Sequence, residues 1–359
     1  MKGIIIINPY RVPEQSVKQA ERLKKELERL GASAEIVADG YARVCAGAGT
    51  NSSTGAGARA DEGKSKGTGK AENGAEREER GMRLDESFSH ADFFVYFDKD
   101  KYVSSLLEKA GKRVFDLHET IRLCDDKGDT YIELAAGGFP VPKTIFAPLC
   151  YSQNLKTPEE FFEVAEKELS YPMIVKESYG SMGRGVYKAE NRAELETIQE
   201  KLKTVPHLLQ KYEGARRGTD MRVIVVGGKA AAAMLRINEN DFRSNIALGG
   251  RGIKVDFAGA TRAASVTGTT GAAGKVEACE NNENSEYSEF ITLAESAARY
   301  LKADYCGVDL LFDKNGKPII CEVNSNAFFG EIEKVTGVNV AKLYAEYIVK
   351  TVKTEAEKA

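Results

Sequence analysis

The stretch DYCGVDLLFDKNGKPIICEVN, residues 304–324, decides the fold of this chain. Two apolar runs are divided by an Asn-Gly pair at 315–316, and this pattern predicts two β-strands joined by a tight hairpin turn. Asp309 lies on the first strand, and Glu322 and Asn324 share one face of the second because they are two residues apart. Three oxygen ligands on one sheet face suit Mg²⁺, which binds through few carboxylates and shares its shell with phosphate. For the hairpin alone, an ordinary hairpin whose carboxylates face water is an equal alternative.

Composition and length exclude several classes of protein. With 359 residues, of which 42% are hydrophobic and 29% charged, the chain is expected to bury more than one core. A net charge of −3 gives no support for nucleic-acid binding, and the apolar run at residues 4–7 is too short for a signal sequence or a membrane span. The six cysteines and three histidines lack the spacing of a zinc site, a disulfide framework or a histidine-based triad. We therefore expect a cytoplasmic protein without a nucleic-acid or membrane partner.

The first 120 residues alternate strands and helices, which predicts a small doubly wound α/β domain. Strands are expected at residues 3–7, 34–37, 92–97 and 113–115, with a helix over 16–30. Residues 46–80 contain no Val, Ile, Leu, Met or aromatic residue, so they are expected to form a disordered insertion. A second low-complexity insertion is expected over 258–285.

A glycine-rich loop follows a predicted strand that ends at Lys176. Glycines at 180, 183 and 185 allow the backbone to approach a ligand closely, and successive amide groups bind phosphate oxygens. Lys176 would add a positive charge beside them. For this segment alone, a plain β-turn next to a solvated lysine is the alternative, and the Gly-Lys-Ser/Thr of a Walker loop is absent from it.

Arginines interrupt two apolar strands that flank a predicted turn at Gly227-Gly228. Arg222 and Arg236 are expected to have anionic partners, which are either structural carboxylates or a substrate. Downstream, Arg243 and Asn245 lie in a polar loop where they would meet a transferring phosphate or a carboxylate substrate. Ordinary loop polarity is the alternative for this pair.

The order of these segments along residues 115–350 resembles the ATP-grasp superfamily, and more narrowly its RimK-like glutamate ligase group. The most specific matches are DFRSN at 241–245, GVD at 307–309 and EVN at 322–324. The resemblance implies an α/β chain of the α+β ATP-grasp type, in which two subdomains clasp a nucleotide behind a pre-ATP-grasp domain. The implied domains are residues 1–120, residues 121–210 with the glycine-rich loop, and residues 211–353 with the metal site.

The resemblance also implies roles for individual residues. Nucleotide binding is implied for Lys127, Lys176, Gly180, Ser181, Gly183, Gly185, Gln210, Lys211, Tyr212 and Asp220. Catalysis is implied for Arg222, Arg243 and Asn245, and Mg²⁺ ligation for Asp309, Glu322 and Asn324. In detail, the main chain near Lys211 and Tyr212 would hold adenine, and Asp220 would meet the ribose. Two positions depart from the family pattern, because Lys211 replaces an acidic residue and SNAFFG at 325–330 replaces a Ser-Pro-Gly sequence.

The activity that the resemblance implies is ATP-dependent ligation of a carboxylate to an amine through an acyl phosphate, with glutamate or a similar amino acid as one substrate. Phosphoryl transfer of this kind needs positioning and charge neutralisation more than a protein nucleophile, which agrees with the lack of a His or Cys motif. The implied cofactors are ATP and Mg²⁺, as two ions, with Mn²⁺ as the alternative metal. A small-molecule kinase of the same fold and a nucleotide-binding module without turnover stay open, as do a peptide or protein tail as acceptor and a homo-oligomer.

Overall fold

The computed structural model describes residues 1–10, 14–38, 40–46, 82–257 and 287–358. Both expected insertions lie outside the described residues, except that Ala46 ends a short strand. The strands form sheets of four, four, five and two strands. Within the described ranges, no helix is both long and apolar enough to cross a membrane.

The N-terminal part is the expected alternation of strands and helices. It consists of β1 (Lys2–Ile7), α1 (Glu14–Arg29), β2 (Ser33–Val37), α2 (Gly40–Arg43), β3 (Val44–Ala46), β4 (Met82–Leu84), α3 (Glu86–Ser89), β5 (Phe93–Phe97), α4 (Lys101–Lys109) and β6 (Val114–Phe115). Strands β2, β1, β5 and β6 form a parallel sheet in this order, and β3 pairs with β4. Phe93 and Val95 of β5 join the core under α1, whereas Phe94 and Tyr96 join the core under α3 and α4. Burial on both faces explains the continuous apolar runs of β1 and β5.

A second sheet presents Lys176 to one of its faces. This part consists of α5 (His118–Asp125), α6 (Lys127–Ala136), β7 (Thr144–Phe146), α7 (Glu159–Leu169), β8 (Met173–Glu177), β9 (Val186–Ala189), α8 (Arg192–Leu202) and β10 (His207–Lys211). Strands β7, β10, β8 and β9 form an antiparallel sheet in this order. Met173 and Val175 of β8 pack into the core that α7 and α8 cover. Because side chains alternate along a strand, Ile174 and Lys176 face the opposite side.

The third sheet contains the hairpin that the sequence predicted. This part consists of β11 (Thr219–Val226), β12 (Lys229–Ile237), a 3₁₀ turn (Ile246–Leu248), β13 (Arg251–Val255), α9 (Ser288–Tyr300), β14 (Tyr305–Phe312), β15 (Pro318–Asn324), α10 (Gly330–Thr336) and α11 (Val340–Ala356). The strand order is β13-β12-β11-β14-β15. Strands β14 and β15 are antiparallel partners, and Asp309 lies directly opposite Glu322. The turn at Gly227-Gly228 is also confirmed, because Val226 pairs with Lys229 across it.

Helix α11 joins the N-terminal sheet to the five-stranded sheet. The ring of Tyr344 on α11 stacks on Tyr305 of β14 with ring centroids 4.8 Å apart, and one continuous core includes both and the apolar face of α1. Gln19 of α1 adds two hydrogen bonds, donating to the carbonyl of Ala327 at 3.3 Å and accepting from the amide of Phe329 at 3.0 Å. The predicted domain boundaries stay a prediction, and β10 runs one residue past the boundary expected at 210.

We predict that Gly3→Ala destabilises the N-terminal sheet. Gly3 lies opposite Phe93 in the parallel pairing of β1 and β5, and a Cβ at this position would lie 2.2 Å from the Phe93 ring. Because Phe93 is fully buried, the ring has nowhere to move, and overpacking of this kind costs about 1–3 kcal/mol. Thermal unfolding of the purified variant measures the effect.

Gly330→Ala is the matched control for this substitution. A Cβ there would meet nothing within 4 Å, and the residue is exposed at the start of α10. Its melting temperature should stay at or above the wild-type value, because alanine favours a helix over glycine. Equal melting temperatures for both variants would contradict the packing described for Gly3.

Candidate active site

A cleft lies between the sheet of β7, β10, β8 and β9 and the five-stranded sheet. It contains most of the site residues that the sequence predicted. It encloses about 910 Å³ of empty space, including its open mouth. The predicted residues that line it are Lys127, Lys176, Gly180, Ser181, Gly183, Gln210, Lys211, Tyr212, Asp220, Arg243, Asn245, Asp309 and Glu322. The other three, Gly185, Arg222 and Asn324, are not among the lining residues, although Arg222 bonds to Asp309, which is. The structure therefore brings the predicted set to one place, while the role of each residue stays a prediction.

Two lysines on different elements point into the floor of the cleft. Lys127, at the start of α6, donates from Nζ to the carbonyl of Gly180 at 2.8 Å and lies 3.4 Å from Glu322 Oε1. Lys176 donates from Nζ to the Tyr131 hydroxyl at 3.1 Å, and its Nζ lies 3.7 Å from Cys321 Sγ. Burial alone would lower the pKa of Lys176, but the neighbouring Cys321, Tyr131 and Glu322 outweigh burial and raise it. Both lysine side chains line the cleft.

The glycine-rich loop needs its glycines for two reasons. Gly183 and Gly185 have positive φ angles of 75° and 69°, a region that other residues rarely adopt. A Cβ on Gly185 would also lie 2.8 Å from the Glu177 carboxyl carbon, so the Glu177 side chain would have to move to admit one. The amide of Glu177 donates to the Gly185 carbonyl at 2.9 Å and closes the loop. Gly185 thus shapes the loop without lining the cleft.

A second loop, residues 238–250, covers the glycine-rich loop. Arg243 donates to the Gly183 carbonyl at 3.0 Å and pairs with Asp241 at 2.7 Å. This pairing lowers the pKa of the Asp241 carboxyl. Asn245 approaches so closely that a Cβ on Gly183 would lie 2.9 Å from its Oδ1. Arg243 and Asn245 therefore contact the glycine-rich loop, and both line the same cleft as the two lysines.

Four charged side chains, three of them buried, form a network at the end of the cleft where Mg²⁺ is predicted. Arg222 donates from Nε and Nη2 to the two carboxylate oxygens of Asp309, both at 2.7 Å. Arg236 bonds both carboxylate oxygens of Asp220 and lies 2.9 Å from Asp309 Oδ2. Burial raises the pKa of Asp309, but the two guanidinium groups outweigh burial and hold it below its usual value. Sequence reasoning expected an anionic partner for Arg236, but it did not include this residue in the site.

The donor set at this end fits the predicted Mg²⁺. Asp309 and Glu322 are opposite each other across β14 and β15, and Asn324 lies opposite Gly307 on the same face as Glu322. The Asn324 side-chain nitrogen is buried without a hydrogen-bond partner. Exchanging the nitrogen and oxygen of an amide is a free choice in assigning such a group, so its oxygen fits the same place as a ligand. In the described part of the chain, no three His, Cys, Asp or Glu side chains are grouped so that they could hold a metal by themselves.

The end of β10 forms the side wall of the cleft. Gln210 donates from its side chain to Thr144 Oγ1 at 2.9 Å, and the Lys211 amide donates to the Lys143 carbonyl at 3.0 Å. The Tyr212 ring meets Phe242 edge to face, with centroids 6.5 Å apart. The adenine contact expected at this wall stays a prediction.

The chain is similar in sequence to known proteins. A family model described as a RimK-like ATP-grasp domain matches residues 125–273 and 271–348. N-acetylaspartylglutamate synthase A of Homo sapiens is 30% identical over 257 residues, which cover 70% of this chain and 56% of that protein. A probable alpha-L-glutamate ligase of Legionella pneumophila (strain Corby) is 28% identical over 245 residues, covering 67% of this chain and 68% of the other. The chain thus spans just over half the length of the human relative.

The fold of the chain is similar to that of a solved structure. The ATP-grasp ligase PsnB, complexed with a minimal precursor, Mg and ADP, superimposes with a TM-score of 0.60 at 14% identity, covering 98% of this chain and 97% of that one. Likeness at this identity shows the fold, and the expected ATP-grasp fold is therefore confirmed.

We predict that Arg236→Gln destabilises the protein by about 3–5 kcal/mol, because it removes one partner of a buried ion network and leaves carboxylate charge unpaired. The Arg236 side chain is only 4% exposed and contacts both Asp220 and Asp309. Urea unfolding measures the change in free energy. Arg251→Gln is the control, because the Arg251 side chain is 63% exposed and lies 3.6 Å from Glu239, so it should cost less than about 1 kcal/mol. A similar cost for both variants would show that the network does not stabilise the sheet.

Proposed function

We propose that this chain, which belongs to the RimK-like ATP-grasp family, is an ATP-dependent carboxylate–amine ligase. One observation carries the proposal: the carboxylates of Asp309 and Glu322 lie on the floor of a cleft in which the ammonium groups of Lys127 and Lys176 also lie. This arrangement suits a nucleotide triphosphate with its divalent cation, because it offers oxygen ligands to the metal and ammonium groups to the phosphates.

Different residues of the cleft would contact different parts of the nucleotide. Lys127, Lys176 and the glycine-rich loop would hold the phosphates, and the end of β10 would lie along adenine. Asp309, Glu322 and Asn324 would hold Mg²⁺, which neutralises charge on the phosphates when it is bound. Asp220 lines the same cleft and is bonded to Arg236, so its proposed contact with ribose would share a carboxylate that is already held in place.

The proposed reaction has two steps, a phosphoryl transfer and an attack by an amine. A substrate carboxylate oxygen attacks the terminal phosphorus of ATP, and the bond to the bridging oxygen breaks, which releases ADP and forms an acyl phosphate. An amine then attacks the acyl carbon, the bond from this carbon to the phosphate oxygen breaks, and the phosphate leaves with a proton from the amine, so that an amide remains. Arg243 would stabilise the charge on the transferring group, with Asn245 beside it, and Arg222 would act through Asp309 by fixing its carboxylate.

Glutamate or a similar amino acid is the proposed amine substrate. The names of two relatives support this choice of substrate. One relative is an N-acetylaspartylglutamate synthase and the other is a probable alpha-L-glutamate ligase. The carboxylate partner is a small acid or the carboxyl end of a peptide, and both belong in the first assay.

We predict that ADP release requires Mg²⁺, a carboxylate and an amine together. A coupled assay for ADP with L-glutamate and a panel of carboxylates measures it, and mass spectrometry identifies the amide. Arg243→Ala should lower kcat by about 10²–10³-fold, as expected when a charge-stabilising donor is removed. Arg251→Ala is the control and should leave turnover unchanged, because Arg251 is exposed and does not line the cleft. ADP release with one hydroxyl substrate and no amine would instead identify a small-molecule kinase.

A further inference from the structure

Helix α6 carries two side chains of interest on one face: Lys127 lines the cleft, and Tyr131 contacts Lys176, which also lines it. Lys127 and Tyr131 are four residues apart, which is about one helical turn, so they lie above each other on the helix. Tyr131 is only 2% exposed, although its side chain carries a polar group. Nothing in the sequence distinguishes this residue from an ordinary core tyrosine. Its hydroxyl, however, has two specific partners.

The Tyr131 hydroxyl joins the two sheets that enclose the cleft. It donates to the main-chain carbonyl of Cys321 on β15, in the five-stranded sheet. It accepts a hydrogen bond from Nζ of Lys176 at 3.1 Å, and Lys176 lies on β8 in the sheet of β7, β10, β8 and β9. One oxygen atom thus fixes a strand of one sheet and a charged side chain of the other.

The beginning of α6 is itself held firmly. Its N-cap, Asp126, accepts from the amides of Gly128 and Asp129. The Lys127 amide donates to the Ser178 carbonyl at 3.0 Å, and the Lys127 side chain bonds to the Gly180 carbonyl at 2.8 Å. The helix is therefore anchored to the glycine-rich loop, and Tyr131 starts from a fixed position.

We propose that Tyr131 is a positioning residue for the nucleotide phosphates, acting through Lys176. An ammonium group has three N–H donors. The Tyr131 oxygen takes one, Cys321 Sγ lies 3.7 Å from the nitrogen, and the remaining donor capacity faces the cleft that Lys176 lines. Without the hydroxyl, the buried ammonium group loses its nearest oxygen acceptor and its fixed orientation. This inference rests on the proposed nucleotide site.

The test is Tyr131→Phe, which keeps the ring and removes only the hydroxyl. Calorimetry should show ATP with Mg²⁺ binding about tenfold more weakly, the size expected for the loss of a hydrogen bond to a charged group. Adenosine, which has no phosphates, should bind as it does to the wild type. In turnover, KM for ATP should rise more than kcat falls. Tyr102→Phe is the matched control, because Tyr102 is 72% exposed on α4, and it should bind both compounds normally.

A double substitution tests whether Tyr131 acts through Lys176. If it does, adding Tyr131→Phe to Lys176→Met should cause no further loss of ATP affinity, because coupled residues are not additive. A full additional tenfold loss would overturn the proposal.

The remaining outcomes are distinguishable. A wild-type protein that binds no ATP would overturn the proposed function itself. If the wild type binds ATP and Tyr131→Phe binds it equally well, the positioning role is overturned while the function stands. Equal weakening of ATP and adenosine, or loss of the cooperative unfolding transition in Tyr131→Phe, would assign Tyr131 a structural role and overturn the inference in the same way.

Discussion

The buried network of Asp220, Arg222, Arg236 and Asp309 is the constraint on which the site depends. Charges this deep in a sheet are costly unless each has a partner with good geometry. Arg222 is the cross-strand partner of Asp309, and Arg236 is the cross-strand partner of Asp220. A slip of one residue between these strands would send charged side chains to the wrong face and leave their partners unpaired. The network therefore fixes the register of three central strands.

This register determines where the proposed metal ligands lie. With β14 held against β11 by Arg222, the hairpin to β15 brings Glu322 opposite Asp309, and the two-residue spacing brings Asn324 to the same face. Because Arg222 occupies both oxygens of Asp309 from behind, the carboxylate has one orientation before any ligand binds. Such preorganisation is what charge stabilisation in phosphoryl transfer requires.

How much could be predicted from the sequence depended on the range of the interactions. The hairpin, and the strand face that Glu322 and Asn324 share, were predictable because both depend on residues that are close together in the sequence. The partners of Arg236 were not, because the register of β11 and β12 depends on the Gly227-Gly228 turn and on an irregularity after Ile224. The role proposed for Tyr131 could not be predicted from the sequence, because the partners of its hydroxyl, Cys321 on β15 and Lys176 on β8, are distant along the chain. The family pattern supplied the order of the site residues, and the cross-strand geometry supplied their partners.

The contact between Lys127 and Glu322 links the two halves of the proposed ligand. The Lys127 Nζ lies 3.4 Å from Glu322 Oε1, so a proposed phosphate contact and a proposed metal ligand are each other's partners. If the proposed roles hold, phosphates bound to Lys127 would free Glu322, and a divalent cation bound to Glu322 would free Lys127. Each ligand would thus remove a contact that the other has to break, and linkage would make this effect reciprocal. On the proposed roles, the cleft would favour a metal–nucleotide pair over either component alone.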